Sequence, residues 1–209
     1  MFDALFFDLD GTLIDTETLA LATGIAAFAA HGLTVEESFM HGLIGKDEPT
    51  SSALIRAAFP GLDLGGVRAD WGSRFETGVE AGLPLKPGVT ELLRATEGLP
   101  RAIVTSTGRP GAHRKLRIAG LEGLFDHVIT LHDVTAPKPD PAPYLLAAEK
   151  VGLPAARCLV FEDSETGAEA AHRAGCTVVQ VPDVIAATGR WAHHVAPDLI
   201  AGARMAGLF

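Results

Sequence analysis

Five short apolar runs rich in β-branched or aromatic residues punctuate the chain, at residues 4–7, 102–105, 127–130, 157–161 and 177–181. None alternates cleanly between apolar and polar positions, which is the pattern of strands buried on both faces of a parallel sheet. Helix-like segments fall between the later runs, at residues 89–95, 110–119, 142–151 and 166–174. Three of them stop at a glycine, Gly120, Gly152 and Gly175, where a left-handed C-terminal cap carries no side-chain penalty. Strand alternating with helix predicts right-handed β-α-β crossovers and an open sheet.

The alternation starts late. After the first run, residues 16–83 contain no convincing strand and read as several helices, at 17–30, 49–58 and 67–82. Their exit carries Pro84, Pro87 and Gly88, a composition that marks a boundary. The expected fold class is therefore α/β: a doubly wound, mostly parallel, Rossmann-like sheet with a small all-helical domain inserted after the first strand. Residues 1–15 and 88–209 would form the α/β core, 16–83 the insertion and 84–87 a hinge.

Composition narrows the functional classes. The chain has 209 residues, 47% hydrophobic and 21% charged, which is ordinary globular usage and excludes a disulfide-stapled miniprotein or a disordered chain. Its formal net charge of −9 disfavours nucleic acid and anionic membrane as partners, although a local cation can still dominate one cleft. Cys158 and Cys176 sit in strand-like runs and read as buried, reduced thiols. Asp3, Asp8 and Asp10 occupy the N-terminus where a secretory signal would carry positive charge, so a cytoplasmic protein is expected. The most apolar stretch, 19–33, is interrupted by Thr23, Gly24 and His31 and is shorter than the ~20 residues of a membrane span.

Chemistry concentrates at the ends of the apolar runs. Asp8 and Asp10 stand two residues apart where the first run gives way to Gly11 and Thr12. Both can project into the crevice beyond the strand's carboxyl end, where open α/β sheets bind ligands. Taken alone, the pair fits a local turn motif equally well. The second run, however, ends at Thr105 and Ser106, the third leads to Lys138, and the fourth ends at Glu162 and Asp163. A hydroxyl, an ammonium and a second acidic pair thus meet the first on one edge. Four carboxylates and one lysine leave three net negative charges in the crevice, a setting that calls for a hard cation such as Mg2+.

With these residues in place the chain resembles the haloacid dehalogenase superfamily, in the branch with a helical cap after the first strand that includes phosphoglycolate phosphatase and β-phosphoglucomutase-like phosphatases. Asp8-Leu9-Asp10-Gly11-Thr12 is similar to the first family motif, Thr105 to the second, Lys138-Pro139 to the third and Glu162-Asp163 to the fourth. The resemblance implies a nucleophilic Asp8 that forms an aspartyl-phosphate, with Asp10 as general acid and base. It implies Mg2+ held by the Asp8 carboxylate, the Asp10 backbone carbonyl and Asp163, with Glu162 in support through water or from behind. It further implies that Gly11, Thr12, Thr105, Ser106 and Lys138 hold the transferring phosphoryl group. The substrate would be a small phosphorylated metabolite, turned over by a monomer or homodimer.

Among the reactions of such a family, retention of Asp10 argues for phosphate esters over carbon–halogen bonds or phosphonates. Lys46, the lysine of the insertion, is then a candidate substrate contact or a solvated loop residue. The mutases are similar at Asp15-Thr16-Glu17 but carry a cap histidine at the position of Ala20, so hydrolysis is preferred over a phosphosugar mutase. A non-enzymatic phospho-receiver would place its acidic pair before the nucleophile; here Asp8 comes first. An inactive, metabolite-binding relative would lack catalytic residues that are all present. Arg109, Arg114, Lys115 and Arg117 form a basic patch that could steer an anionic substrate but reads preferentially as a solvated helix face; His193 and His194 lack ligand spacing for zinc, and Trp71 and Trp191 read as packing residues.

Overall fold

The computed structural model describes residues 2–43 and 48–209. Contacts divide the chain into two units, one comprising Met1–Asp15 with Leu83–Phe209 and the other Thr16–Gly82.

The first unit is built on six strands: β1 (Ala4–Phe7), β2 (Arg101–Val104), β3 (His127–Ile129), β4 (Cys158–Glu162), β5 (Thr177–Gln180) and β6 (His194–Val195). They form one sheet in the order β3-β2-β1-β4-β5-β6, every pair parallel. Each residue of β1, β2 and β4 is buried, which is why these runs lack polar alternation. Side chains still segregate with period two. Ala4, Phe6, Ala102, Val104, Cys158, Val160, Cys176 and Val178 join one core cluster with Tyr144, Ala147 and Ala171 from the helices α7 (Ala142–Val151) and α8 (Glu165–Arg173). Residues of opposite parity include Phe7 and Phe161, whose rings stack at 5.3 Å between centroids.

Helices α5 (Val89–Ala95), α6 (Arg109–Ile118) and α9 (Leu199–Met205) complete this unit. The side chains of Ser164 and Asp198 accept hydrogen bonds from Gly167 N and Ala201 N and so cap α8 and α9. Gly152 and Gly175 take the expected left-handed conformation after α7 and α8. Helix α9 approaches β5 so closely that a Cβ on Gly202 would lie 2.3 Å from Val179 Cγ1.

The second unit holds α1 (Glu17–Ala30), α2 (Glu37–His41), α3 (Glu48–Ala58) and α4 (Leu64–Ala81). Phe28, Met40, Ile55 and Val67 form its core, with Phe28 touching Phe39, Phe59 and Trp71. Among the described residues no helix is long and apolar enough to cross a membrane.

Several expected boundaries shift. Arg157 belongs to a short 3-10 turn, Ala155–Arg157, rather than to the fourth strand, and Thr105, Thr130 and Val181 lie just beyond their strands. Elements α2, α9 and β6 lie outside the apolar runs and helical segments predicted from the pattern. Both cysteines are buried and unpaired, as expected.

Candidate active site

Strand order reverses direction around β1: β2 and β3 extend on one side, β4 to β6 on the other. A crevice opens at the carboxyl end of such a switch point. Asp8 enters it directly after β1, and its backbone N–H continues the ladder to Phe161 O at 3.0 Å. The chain then folds back tightly, with Gly11 N donating to Ile14 O and Leu13 N to Leu9 O. Buried Leu9, Leu13 and Ile14 anchor this turn. Gly11 has φ +79°, and a Cβ there would stand 2.5 Å from Asp163 Oδ2, so glycine is what lets the Asp163 carboxylate approach the turn. Thr12 Oγ1 donates to Asp163 Oδ1 at 3.3 Å.

Lys138 binds three strand ends together. Its ammonium donates to Asp8 Oδ1 (2.6 Å), Val104 O (2.7 Å) and Glu162 Oε1 (2.6 Å), which uses all three of its N–H donors. Only 5% of its side chain is exposed. Glu162 is fully buried and also accepts from Tyr144 OH at 2.7 Å and Ser164 Oγ at 3.1 Å. Helix α8 begins over this carboxylate: a Cβ on Gly167 would fall 1.8 Å from Glu162 Oε1.

The charges are crowded. Burial foremost pushes the Asp8 carboxyl up to about 7; Lys138 opposes this, and Glu162 and Asp10 add to it. Burial, together with Asp8 and Glu162, also raises Asp163 well above the usual carboxylate range. For Lys138 burial acts against the charge, but Asp8 and Glu162 outweigh it and hold the ammonium above the ordinary lysine range. One cation is thus shared among more negative charge than it can neutralise. Asp8, Glu162 and Asp163 each present an oxygen, all within 4.8 Å of one another, so this trio could hold a metal ion. A set of hard oxygen donors beside a glycine-lined turn fits a small divalent cation.

Thr105 is buried, and its Oγ1 accepts from Thr107 N at 3.0 Å, leaving the hydroxyl hydrogen available to donate. Ser106 follows with an exposed side chain. The Asp10 carboxylate has donors of its own: Oδ2 accepts from Thr107 Oγ1 at 2.7 Å and Oδ1 from Lys115 Nζ at 2.6 Å. Lys115 therefore corrects an expectation. It is not part of a solvated face, since only 16% of its side chain is exposed. Position 115 shares the inner edge of α6 with buried Ala112 and Leu116, and that three- and four-residue spacing was the available signal. Arg109 and Arg117 are exposed, and Arg109 pairs with Asp133. Thr107, Tyr144 and Gly167 are further contributors that the motifs did not single out. Lys46 lies outside the described residues.

Comparison with known proteins agrees with this geometry. The family model described as haloacid dehalogenase-like hydrolase matches residues 2–175. Hexitol phosphatase A of Escherichia coli (strain K12) is 36% identical over 183 residues, covering 84% of this chain and 81% of that protein. The phosphorylated carbohydrates phosphatase of Thermotoga maritima is 31% identical, covering 83% and 82% respectively. Among solved structures, a HAD family hydrolase from Deinococcus radiodurans R1 with bound phosphate and sodium superimposes with a TM-score of 0.85 at 28% identity, covering 99% of this chain and 96% of that one. A match over most of the chain, relatives above 30% identity and a shared fold lead to one assignment: the chain belongs to the haloacid dehalogenase-like hydrolases and is an enzyme of that class.

Proposed function

We propose that this enzyme is a Mg2+-dependent phosphatase that hydrolyses small phosphorylated metabolites, phosphorylated carbohydrates foremost, through an aspartyl-phosphate on Asp8. The observation that carries the reading is the Asp8 carboxylate, 7% exposed and pinned by Lys138 beside Glu162 and Asp163 at the sheet's switch point. A buried carboxylate fixed in one orientation is suited to in-line attack on phosphorus.

In this reading a carboxylate oxygen of Asp8 bonds to phosphorus as the ester P–O bond breaks, and Asp10 passes a proton to the departing oxygen. Asp10 then takes a proton from water, whose oxygen attacks phosphorus and releases Asp8 and inorganic phosphate. Thr105, the turn at Gly11 and Thr12 and the backbone of Ser106 hold the phosphoryl oxygens, and the Lys138 charge neutralises both Asp8 and the phosphoryl group. Asp8, the Asp10 carbonyl and Asp163 would hold Mg2+, with Glu162 fixed behind them by Lys138, Tyr144 and Ser164. When bound, the cation offsets charge on the transferring group. Residues 16–83 are read as the substrate-selecting cap, with Lys46 as a contact and 84–87 as its hinge.

The names of the two relatives favour carbohydrate phosphates, and Ala20 in place of an imidazole favours hydrolysis over transfer within a sugar. The test is phosphate release from a panel of hexitol, hexose and nucleoside monophosphates and phosphoglycolate, with and without Mg2+. Release that needs Mg2+ and is fastest on a carbohydrate ester is expected. Silence on every ester by folded, Mg2+-loaded protein would overturn the reading.

A further inference from the structure

Helix α6 carries a cation into the site that none of the family motifs includes. Lys115 Nζ lies 2.6 Å from Asp10 Oδ1 and 3.4 Å from Thr107 Oγ1, while Thr107 Oγ1 lies 2.7 Å from Asp10 Oδ2. The three side chains close a ring in which each Asp10 oxygen has its own donor. A carboxylate held at one oxygen can swing about its χ2 axis; one held at both is fixed in plane and direction. The ring's other corners are held as well: Thr107 N donates to Thr105 Oγ1, and α6 is seated by the buried side chains of Ala112 and Leu116.

We infer that Lys115, with Thr107, is a positioning residue that aims the Asp10 carboxylate for proton transfer. The inference rests on the phosphatase reading, since Asp10 has protons to move only if an ester is cleaved or a phosphoenzyme hydrolysed. Its role is exerted through Asp10, the carboxylate that Lys115 holds at 2.6 Å. Proton transfer by a placed side chain is worth roughly 100- to 10,000-fold, and misaiming it forfeits part of that.

The test is a double-mutant cycle on p-nitrophenyl phosphate and one hexose phosphate with Mg2+ present, reading kcat and KM separately. Lys115→Met is expected to lower kcat by about 10- to 100-fold with KM within about threefold, and Lys115→Arg to recover part of the loss. In an Asp10→Asn background, Lys115→Met should change kcat by less than about twofold, because the group it positions is gone. Thr107→Val should show the same dependence and serves if Lys115→Met fails to fold. An equal loss with and without Asp10, or a loss confined to KM, would overturn the positioning role while leaving the phosphatase reading intact. No phosphate release by the unsubstituted enzyme would overturn that reading, and the role of Lys115 with it.

Discussion

Lys138 answers three acceptors with three donors from a position almost sealed from water, so its side chain stabilises the strand ends as well as serving the proposed chemistry. Replacing it by methionine keeps the volume and removes the charge. Asp8 and Glu162 are then left buried without their cation, a change that costs about 3 to 5 kcal/mol in comparable buried pairs. Lys138→Met should lower the unfolding free energy by that order in metal-free buffer; a loss below about 1 kcal/mol would contradict the account. Asp8 supplies a pH prediction. Its folded-state value near 7 stands above the ordinary 3.8, so the folded protein holds an extra proton between those limits. In metal-free protein this contribution weakens stability as pH rises from about 4 to 7, and the cost is complete above 7. A divalent cation must displace that proton at low pH and need not at high pH. Mg2+ should therefore raise the melting temperature more at pH 7.5 than at pH 5, and an equal shift at both would contradict the assignment of Asp8 to the metal. Asp8, Lys138, Glu162 and Asp163 are legible as one cluster because each follows an apolar run whose direction is set by the parallel sheet. Lys115 and Tyr144 are not, because their roles depend on how α6 and α7 are rotated about their axes, which a string of residues does not fix.

At the scale of elements, legibility followed length and burial. Helices α1, α5 and α7 match their predicted limits, α7 ending at the left-handed Gly152 that the pattern marked as its stop. Strand β6 has two residues, neither buried, and offers no apolar run to detect. Helix α2 has five residues, too few to show a period. Helix α9 has seven and carries Gly202 at its centre, so composition argues against it, whereas the Asp198 cap argues for it. Packing explains the glycine: it is the side chain's absence that lets α9 rest on Val179. Gly202→Ala should gain about 1 kcal/mol in helix propensity and lose more to overpacking, for a net loss of about 1 to 2 kcal/mol by denaturant titration. A more stable variant would show that α9 can shift away from β5 at little cost.

Across the whole molecule, the alternation of strand and helix foretold a parallel, doubly wound sheet but not its strand order, which depends on the choice made at each crossover. The observed order puts β1 between β2 and β4, and that adjacency lets Lys138 reach Val104, Asp8 and Glu162 at once. A net charge of −9 and a crevice rich in carboxylates are reconciled with an anionic substrate only if cations act locally, through Lys138 and the proposed Mg2+. The claim that unites these scales is that phosphate passes through Asp8. Its most direct test is rapid acid quench of the enzyme mixed with substrate and Mg2+, followed by mass spectrometry of the peptide bearing residues 4–15. The account predicts one added phosphoryl group on Asp8 during turnover, absent from Asp8→Asn together with phosphate release. Undiminished phosphate release by Asp8→Asn, or a phosphoryl group on another residue, would contradict it.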